Sequence, residues 1–147
     1  HHPEIPALSH YVPAHEGPED ALAKRFPLQL ITWKGKNRAN STQYANPWLI
    51  EAQQQKLWIN PQDAQKRGIA QGDTVRIHNA RGICEIPAEV TPRIIPGVVA
   101  MQAGAWWQPD EQGIDKGGCA NVLSSARITA LAKGNSHQTM LVEVAKA

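Results

Sequence analysis

A chain of 147 residues, 41% hydrophobic and 19% charged, holds enough apolar material for one domain with its own core, without metal or disulfide staples. It contains no run of 18 apolar residues, which excludes a membrane-spanning helix, and its first residues lack the basic and apolar regions of an export signal. The net charge of +2 is too small to point to nucleic acid, but the first 23 residues hold four acids (Glu4, Glu16, Glu19, Asp20) and no Lys or Arg, leaving 15 basic against 9 acidic side chains after them.

Residues 1–26 read as an extended arm, because Pro3, Pro6, Pro13 and Pro18 punctuate a stretch with no sustained period. Such an arm packs as a strap over something larger; His1 and His2 suit remnants of a purification tag. Residues 28–33, short, apolar and β-rich, predict a buried strand, followed by a polar loop over 34–45. Asn46-Pro47 supplies a cap and a first-turn proline for a helix to about Gln55. A short strand over 57–59 leads to Asn60-Pro61, which repeats that device for a helix stopped by Gly68.

Residues 74–79 alternate apolar and polar, as a half-buried strand does. Asn79-Ala80-Arg81-Gly82 then reads as a hairpin turn with glycine in a left-handed position. The return strand sets Cys84, Ile86, Ala88 and Val90 on one face against Glu85 and Glu89 on the other. A strand over 98–101 follows, then a glycine-rich irregular stretch over 102–121 broken by Trp106-Trp107. Met140, Val142 and Val144 alternate with Leu141 and Glu143 in a last strand. The fold class is therefore mainly β with short helices, an antiparallel or mixed barrel.

Cys84 and Cys119 stand 35 residues apart with no CxxC and no histidine at ligand spacing, so neither a zinc site nor a redox pair is indicated. Cys84 falls on an apolar strand face and reads as core. The absence of a Gly-x-Ser-x-Gly or Walker sequence argues against a small hydrolase.

Between residues 60 and 106 the chain reads Asn60-Pro-Gln-Asp-Ala64, Arg67-Gly-Ile69, Gly72-Asp-Thr-Val75, Asn79-Ala-Arg-Gly82, Pro96-Gly-Val98 and then Trp106. This succession resembles the C-terminal molybdopterin-dinucleotide-binding domain of dimethyl sulfoxide reductase-type catalytic subunits, in the molybdopterin oxidoreductase family. Arg38-Ala-Asn-Ser-Thr42, Lys116-Gly-Gly-Cys-Ala-Asn-Val-Leu123 and Ala132-Lys-Gly-Asn135 extend the likeness over residues 27–147. One departure is Asn40, which stands where the family often has histidine.

The resemblance implies a double-psi β-barrel-like domain over 27–147, with 1–26 as an arm or linker from a preceding domain. It implies a molybdenum bis(molybdopterin guanine dinucleotide) cofactor, bound jointly with other domains of the same catalytic subunit. An iron–sulfur cluster is expected only in the N-terminal part, and no catalytic residue or metal ligand in this one. The parent enzyme would be an anaerobic S-oxide or N-oxide (dimethyl sulfoxide-like) or selenate reductase, located in the periplasm. Its partners would be an iron–sulfur electron-transfer subunit and a membrane anchor. The alternative is a double-psi barrel that recruits proteins without any cofactor, as in N-terminal domains of some ATPases.

Such a dinucleotide presents a pyrophosphate, a pterin and a guanine. Lys34, Gly35, Lys36 and Arg38 suit the pyrophosphate, or else form a solvated turn. Asn40 offers an amide, and Ser41 and Thr42 offer hydroxyls to phosphate or pterin, or else close a local turn. Asp63 could accept guanine's paired N–H groups; as a first-turn acid it also favours its helix by about 0.3–1 kcal/mol. Asn60 is an N-cap as well as a candidate contact. By resemblance Asn121 would bond a pterin, where otherwise it caps a short helix; Ser124 and His137 are candidates of the same kind. His10 and His78 read as exposed or partnering residues. Trp106-Trp107 would line a cofactor cleft or pack against a neighbouring domain.

Overall fold

Among the described residues six strands alternate their side chains across a cylindrical wall, and the inward set closes a core without help from large helices. A computed structural model describes residues 5–129 and 131–147; His1 and His2 lie outside them. The strands are β1 (Leu28–Trp33), β2 (Leu57–Ile59), β3 (Thr74–His78), β4 (Ile83–Val90), β5 (Val98–Gln102) and β6 (Met140–Lys146). Two short helices, α1 (Pro47–Ala52) and α2 (Pro61–Lys66), and two 3-10 turns, Ala21–Lys24 and Ala120–Leu123, are the other elements among the described residues. The barrel order is β1-β5-β2-β4-β3-β6 and it is closed. The β1–β5 and β2–β4 pairs are parallel and the others antiparallel, so the mainly β, double-psi-like architecture implied by the sequence is present. Closure gives each of these six strands a neighbour on both sides.

Leu28, Leu30, Leu57, Ile59, Val75 and Ile77 fill the interior together with Cys84, which is fully buried. Strand register separates the two ends of the barrel. Trp33 stands beside Gln102 where β1 and β5 finish, and Ile59 stands beside Val99 where β5 begins. The 34–45 loop and the 103–107 segment therefore leave from one mouth. The α2 start and the Gly97 turn belong to the opposite one.

Four local expectations change. Helix α1 ends at Ala52, short of Gln55, because the Gln55 amide is drawn to the carbonyls of Gln102 (2.8 Å) and Gly118 (3.0 Å). Gly82 is not left-handed; it lacks a Cβ because one there would lie 2.6 Å from the Val122 carbonyl oxygen. Glu85 is buried, held by Arg76 and Lys116. Leu141 is also buried, since the arm reaches it: its backbone N–H donates to Glu16 Oε2 at 3.1 Å. In the arm, residues 5–14 are exposed, whereas Glu16 is buried and Ala21–Lys24 forms a turn capped by Asp20.

Asn60 uses both ends of its amide. Its Oδ1 accepts from Gln62 N (2.9 Å), capping α2, and its Nδ2 donates to the Ile94 carbonyl (2.7 Å). Asn60→Ala removes the cap and strands a carbonyl, which should cost about 2–3 kcal/mol. A urea midpoint unchanged by that substitution would contradict the assignment.

Hydrogen bonding by Lys116, reinforced by Arg76, holds the Glu85 carboxyl below its ordinary value of 4.5. A carboxylate with a depressed folded pKa stabilises the fold above its unfolded value, and that stabilisation fades as pH falls through the folded one. Denaturant midpoints should therefore drop below about pH 4.5, and Glu85→Gln should flatten that part of the curve.

Candidate functional site

At the mouth where β1 and β5 end, a cleft of about 160 Å³ opens between the 34–45 loop and the 103–121 segment. Thr32, Ser41, Gly104, Cys119, Asn121 and His137 line it. Ser41, Asn121 and His137 thus meet from three separated stretches of chain. Among the described residues none of their three side chains has a hydrogen-bond partner.

The loop is built to sit close. Asn40 (φ 55°) and Gln43 (φ 66°) adopt left-handed backbone, and Thr42 Oγ1 donates to Ala39 O at 2.5 Å, so its hydroxyl serves the turn. The Lys34 ammonium is tied to the side-chain Oδ1 of Asn40. Gly104 (φ 91°) lets the loop backbone pass: a Cβ there would lie 1.9 Å from the Asn40 backbone oxygen. Trp106 Nε1 donates to the Ser41 carbonyl at 2.9 Å, pinning the loop from above.

Arg38 points inward. Its guanidinium lies 4.9 Å from the Tyr44 ring centroid and donates to Gln55 Oε1 at 3.0 Å, while Tyr44 OH donates to Gly117 O at 2.9 Å. Desolvation pushes the Arg38 pKa down and the Tyr44 phenol up. Arg38 Nη1, Trp33 Nε1 and both amide atoms of Gln102 are buried near this loop without a partner among the described residues. Gln102 is 1% exposed, and its Nε2 occupies the space a Cβ on Gly35 would need.

The opposite cleft wall hangs on Asp115, a fully buried carboxylate that accepts backbone N–H groups from Gln108 (2.8 Å), Gly117 (3.1 Å) and Cys119 (2.6 Å). Burial pushes the Cys119 thiol pKa up. Sequence reading missed Asp115, Tyr44, Gln102 and Thr32. Asp115-Lys-Gly-Gly118 did carry a turn signal for the first of these.

Other expected residues stand elsewhere. Lys36 is exposed on the loop's outer side, in a separate groove with Trp33, Trp58 and Arg93, where the two indoles lie 5.0 Å apart. Ser124 Oγ donates to the Asn121 carbonyl (3.0 Å) and closes the 3-10 turn. Asn60 and Asp63 belong to the far mouth, roughly 13 Å away by the rise of β5 alone. Asp63 is 4% exposed and accepts the Gly97 N–H at 2.6 Å. Trp106 and Trp107 are 49% and 61% exposed, and Trp106 reaches the cleft's loop through its bond to the Ser41 carbonyl. Among the described residues, no three His, Cys, Asp or Glu side chains are placed to hold a metal ion, and no helix is long and apolar enough to cross a membrane.

Residues 28–141 match the family described as "Molydopterin dinucleotide binding domain". The chain is 52% identical over 143 residues to the dimethyl sulfoxide reductase DmsA of Escherichia coli (strain K12), covering 97% of this chain and 17% of that protein. It is 39% identical over 135 residues to the trimethylamine-N-oxide reductase of Haemophilus influenzae, covering 85% of this chain and 16% of that protein. The chain thus spans about a sixth of the length of these curated relatives. Among solved structures, acetylene hydratase from Pelobacter acetylenicus matches with a TM-score of 0.77 over 95% of this chain and 21% of that one. At 16% identity that likeness concerns the fold alone.

Proposed function

The chain belongs to the molydopterin dinucleotide binding domain family, and on that premise we propose that its mouth cleft holds part of a molybdopterin guanine dinucleotide. Further domains of a dimethyl sulfoxide or trimethylamine-N-oxide reductase-type catalytic subunit would complete the pocket. One observation carries this reading: Ser41, Asn121 and His137 converge on the cleft with their hydrogen-bonding groups unspent.

The residues fit such a group. A pterin edge alternates donors and acceptors, and the cleft offers a hydroxyl, an amide and an imidazole, each able to donate or accept. The orphaned Arg38 Nη1 and Gln102 amide supply polar capacity beneath the loop that a bound ligand or ordered water would satisfy. Lys34, Lys36 and Arg38 give that loop the cationic character a diphosphate needs, Gly35 lets it pack over Gln102, and Asn40, Ser41 and Thr42 shape its turn. Asn60, Asp63 and Ser124 act as scaffold in this reading, since the Asp63 carboxylate is buried and its Oδ2 already accepts the Gly97 N–H.

Two-electron redox chemistry is supplied by the molybdenum when the cofactor is bound. This chain's part is to bind, orient and seal one face, and alone it would catalyse nothing. An S-oxide or N-oxide substrate for the parent enzyme is supported by the likeness to the two reductases. An iron–sulfur cluster on earlier domains, an electron-transfer subunit, a membrane anchor and a periplasmic location extend the same reading.

The test is a titration of the 147-residue chain with 6-hydroxymethylpterin and, separately, GMP, followed by amide chemical shifts. Saturable shifts should centre on residues 41, 104–105, 119–121 and 137. Asn121→Ala should weaken pterin binding about three- to tenfold, the value of one hydrogen bond. Shifts confined to the far mouth or the outer flank would sink the cleft assignment and favour a protein-recruiting barrel.

A further inference from the structure

Asn121 rides on a single 3-10 turn, Ala120–Leu123, whose N-cap Cys119 makes no side-chain bond. What fixes that turn is a grip from elsewhere. The Leu123 carbonyl accepts three donors from the β3–β4 hairpin: Asn79 Nδ2 at 2.8 Å, Arg81 Nε at 2.9 Å and Arg81 Nη2 at 2.7 Å. Asn79 Oδ1 accepts the Arg81 backbone N–H at 2.9 Å, so the Asn79 side chain also braces the backbone that carries Arg81. Gly82 backs the turn at Val122, where no Cβ would fit.

The rest of the Arg81 guanidinium is taken by the arm. Arg81 Nη1 donates to Glu16 Oε1 at 2.7 Å and Nη2 to Glu16 Oε2 at 2.8 Å, a two-point pair between segments 65 residues apart. The Glu16 side chain is 3% exposed, although residues 5–14 just before it are exposed. Its backbone is left-handed, φ 56°, a conformation that a non-glycine residue keeps only when its surroundings hold it there. Beside it His15 Nδ1 meets Arg127 Nη1 at 2.7 Å, on the segment that runs from the turn toward His137.

We propose that Glu16 is a positioning residue for the cleft. It orients Arg81, Arg81 fixes the Leu123 carbonyl, and that carbonyl sets Asn121 against Ser41 and His137. The inference rests on the reading of the cleft as the cofactor site. Docking of the arm and binding in the cleft are then linked, and each strengthens the other by the same factor.

The test compares the 147-residue chain with Glu16→Gln, Glu16→Ala and Arg81→Lys. Arg67→Ala, which cuts the 2.8 Å Arg67–Glu143 pair elsewhere on the barrel, controls for stability alone. All are measured at a temperature where circular dichroism shows them folded. Two quantities are read: the Asn121 side-chain amide resonances without ligand, and the dissociation constant for 6-hydroxymethylpterin. The Glu16 and Arg81 variants should move those resonances and weaken binding about two- to fivefold, no more than Asn121→Ala does, while Arg67→Ala does neither. Glu16 variants that lower the unfolding midpoint yet leave both quantities unchanged would overturn the proposal. If Asn121→Ala itself leaves pterin binding unaltered, the cofactor reading fails on its own, and the ligand-free resonances still decide whether Glu16 positions Asn121.

Discussion

Gly104→Ala should destabilise the chain by about 3–5 kcal/mol and disrupt the mouth cleft, whereas Gly35→Ala should cost about 1–3 kcal/mol, although its new methyl meets the nearer obstacle. At Gly104 the added Cβ would lie 1.9 Å from the Asn40 carbonyl oxygen and 2.9 Å from the Ser41 nitrogen, both backbone atoms of a loop pinned by Trp106. The left-handed φ of 91° adds strain that no rearrangement of neighbours removes. At Gly35 the added Cβ would lie 1.4 Å from Gln102 Nε2 and 2.3 Å from its Cδ, but these belong to a side-chain amide that makes no hydrogen bond there. That amide can turn away, at the cost of local repacking. Urea midpoints of the two variants test the ordering. A Gly104→Ala chain as stable as Gly35→Ala would mean that the loop and the 103–107 segment do not touch in the folded state.

Much of this barrel was legible in the sequence because strands and caps act locally. Period-two alternation marked β3, β4 and β6, and two Asn-Pro pairs marked both helix starts. The pairing was not legible. β1 beside β5, and β2 beside β4, are parallel contacts between distant segments, and nothing in either strand's own pattern names its partner. Gly82 shows the same limit at one residue. A glycine in a hairpin says that a side chain is unwelcome, but only the fold shows that Val122 is the reason.

The cleft divides along the same line. Ser41 and Asn121 are candidates through family-like motifs and His137 through the wider resemblance, and the fold brings their segments to one mouth. Asn60 and Asp63 came from an equally clear motif, yet the antiparallel run of β2 and β5 carries them to the other end. Their motif was legible as capping chemistry, and in the fold their polar atoms are bonded to backbone. Glu16 and Asp115 were invisible as buried acids. An acid in an irregular stretch shows no period, and its burial depends on Arg81 or on three backbone N–H groups that only the folded chain supplies.

Arg81→Met should be among the most damaging side-chain truncations outside the apolar core, at about 3–5 kcal/mol, and more damaging than removing the pair together. The substitution leaves the Glu16 carboxylate in a site where its side chain is 3% exposed, with the Leu141 N–H as its remaining hydrogen-bond donor. It also strips two of the three donors from the Leu123 carbonyl. Arg81 is itself 29% exposed, so water reaches part of the gap and the lower half of that range is the better expectation. Glu16→Leu combined with Arg81→Met removes the stranded charge and should recover part of the loss, because a buried ion pair costs more to break than to replace. A double-mutant cycle in urea isolates the coupling. A strong favourable term would show that the arm is held by charge pairing. A coupling near zero, with Arg81→Met still severe, would place its whole contribution in the Leu123 carbonyl and leave the arm free to detach without disturbing the cleft.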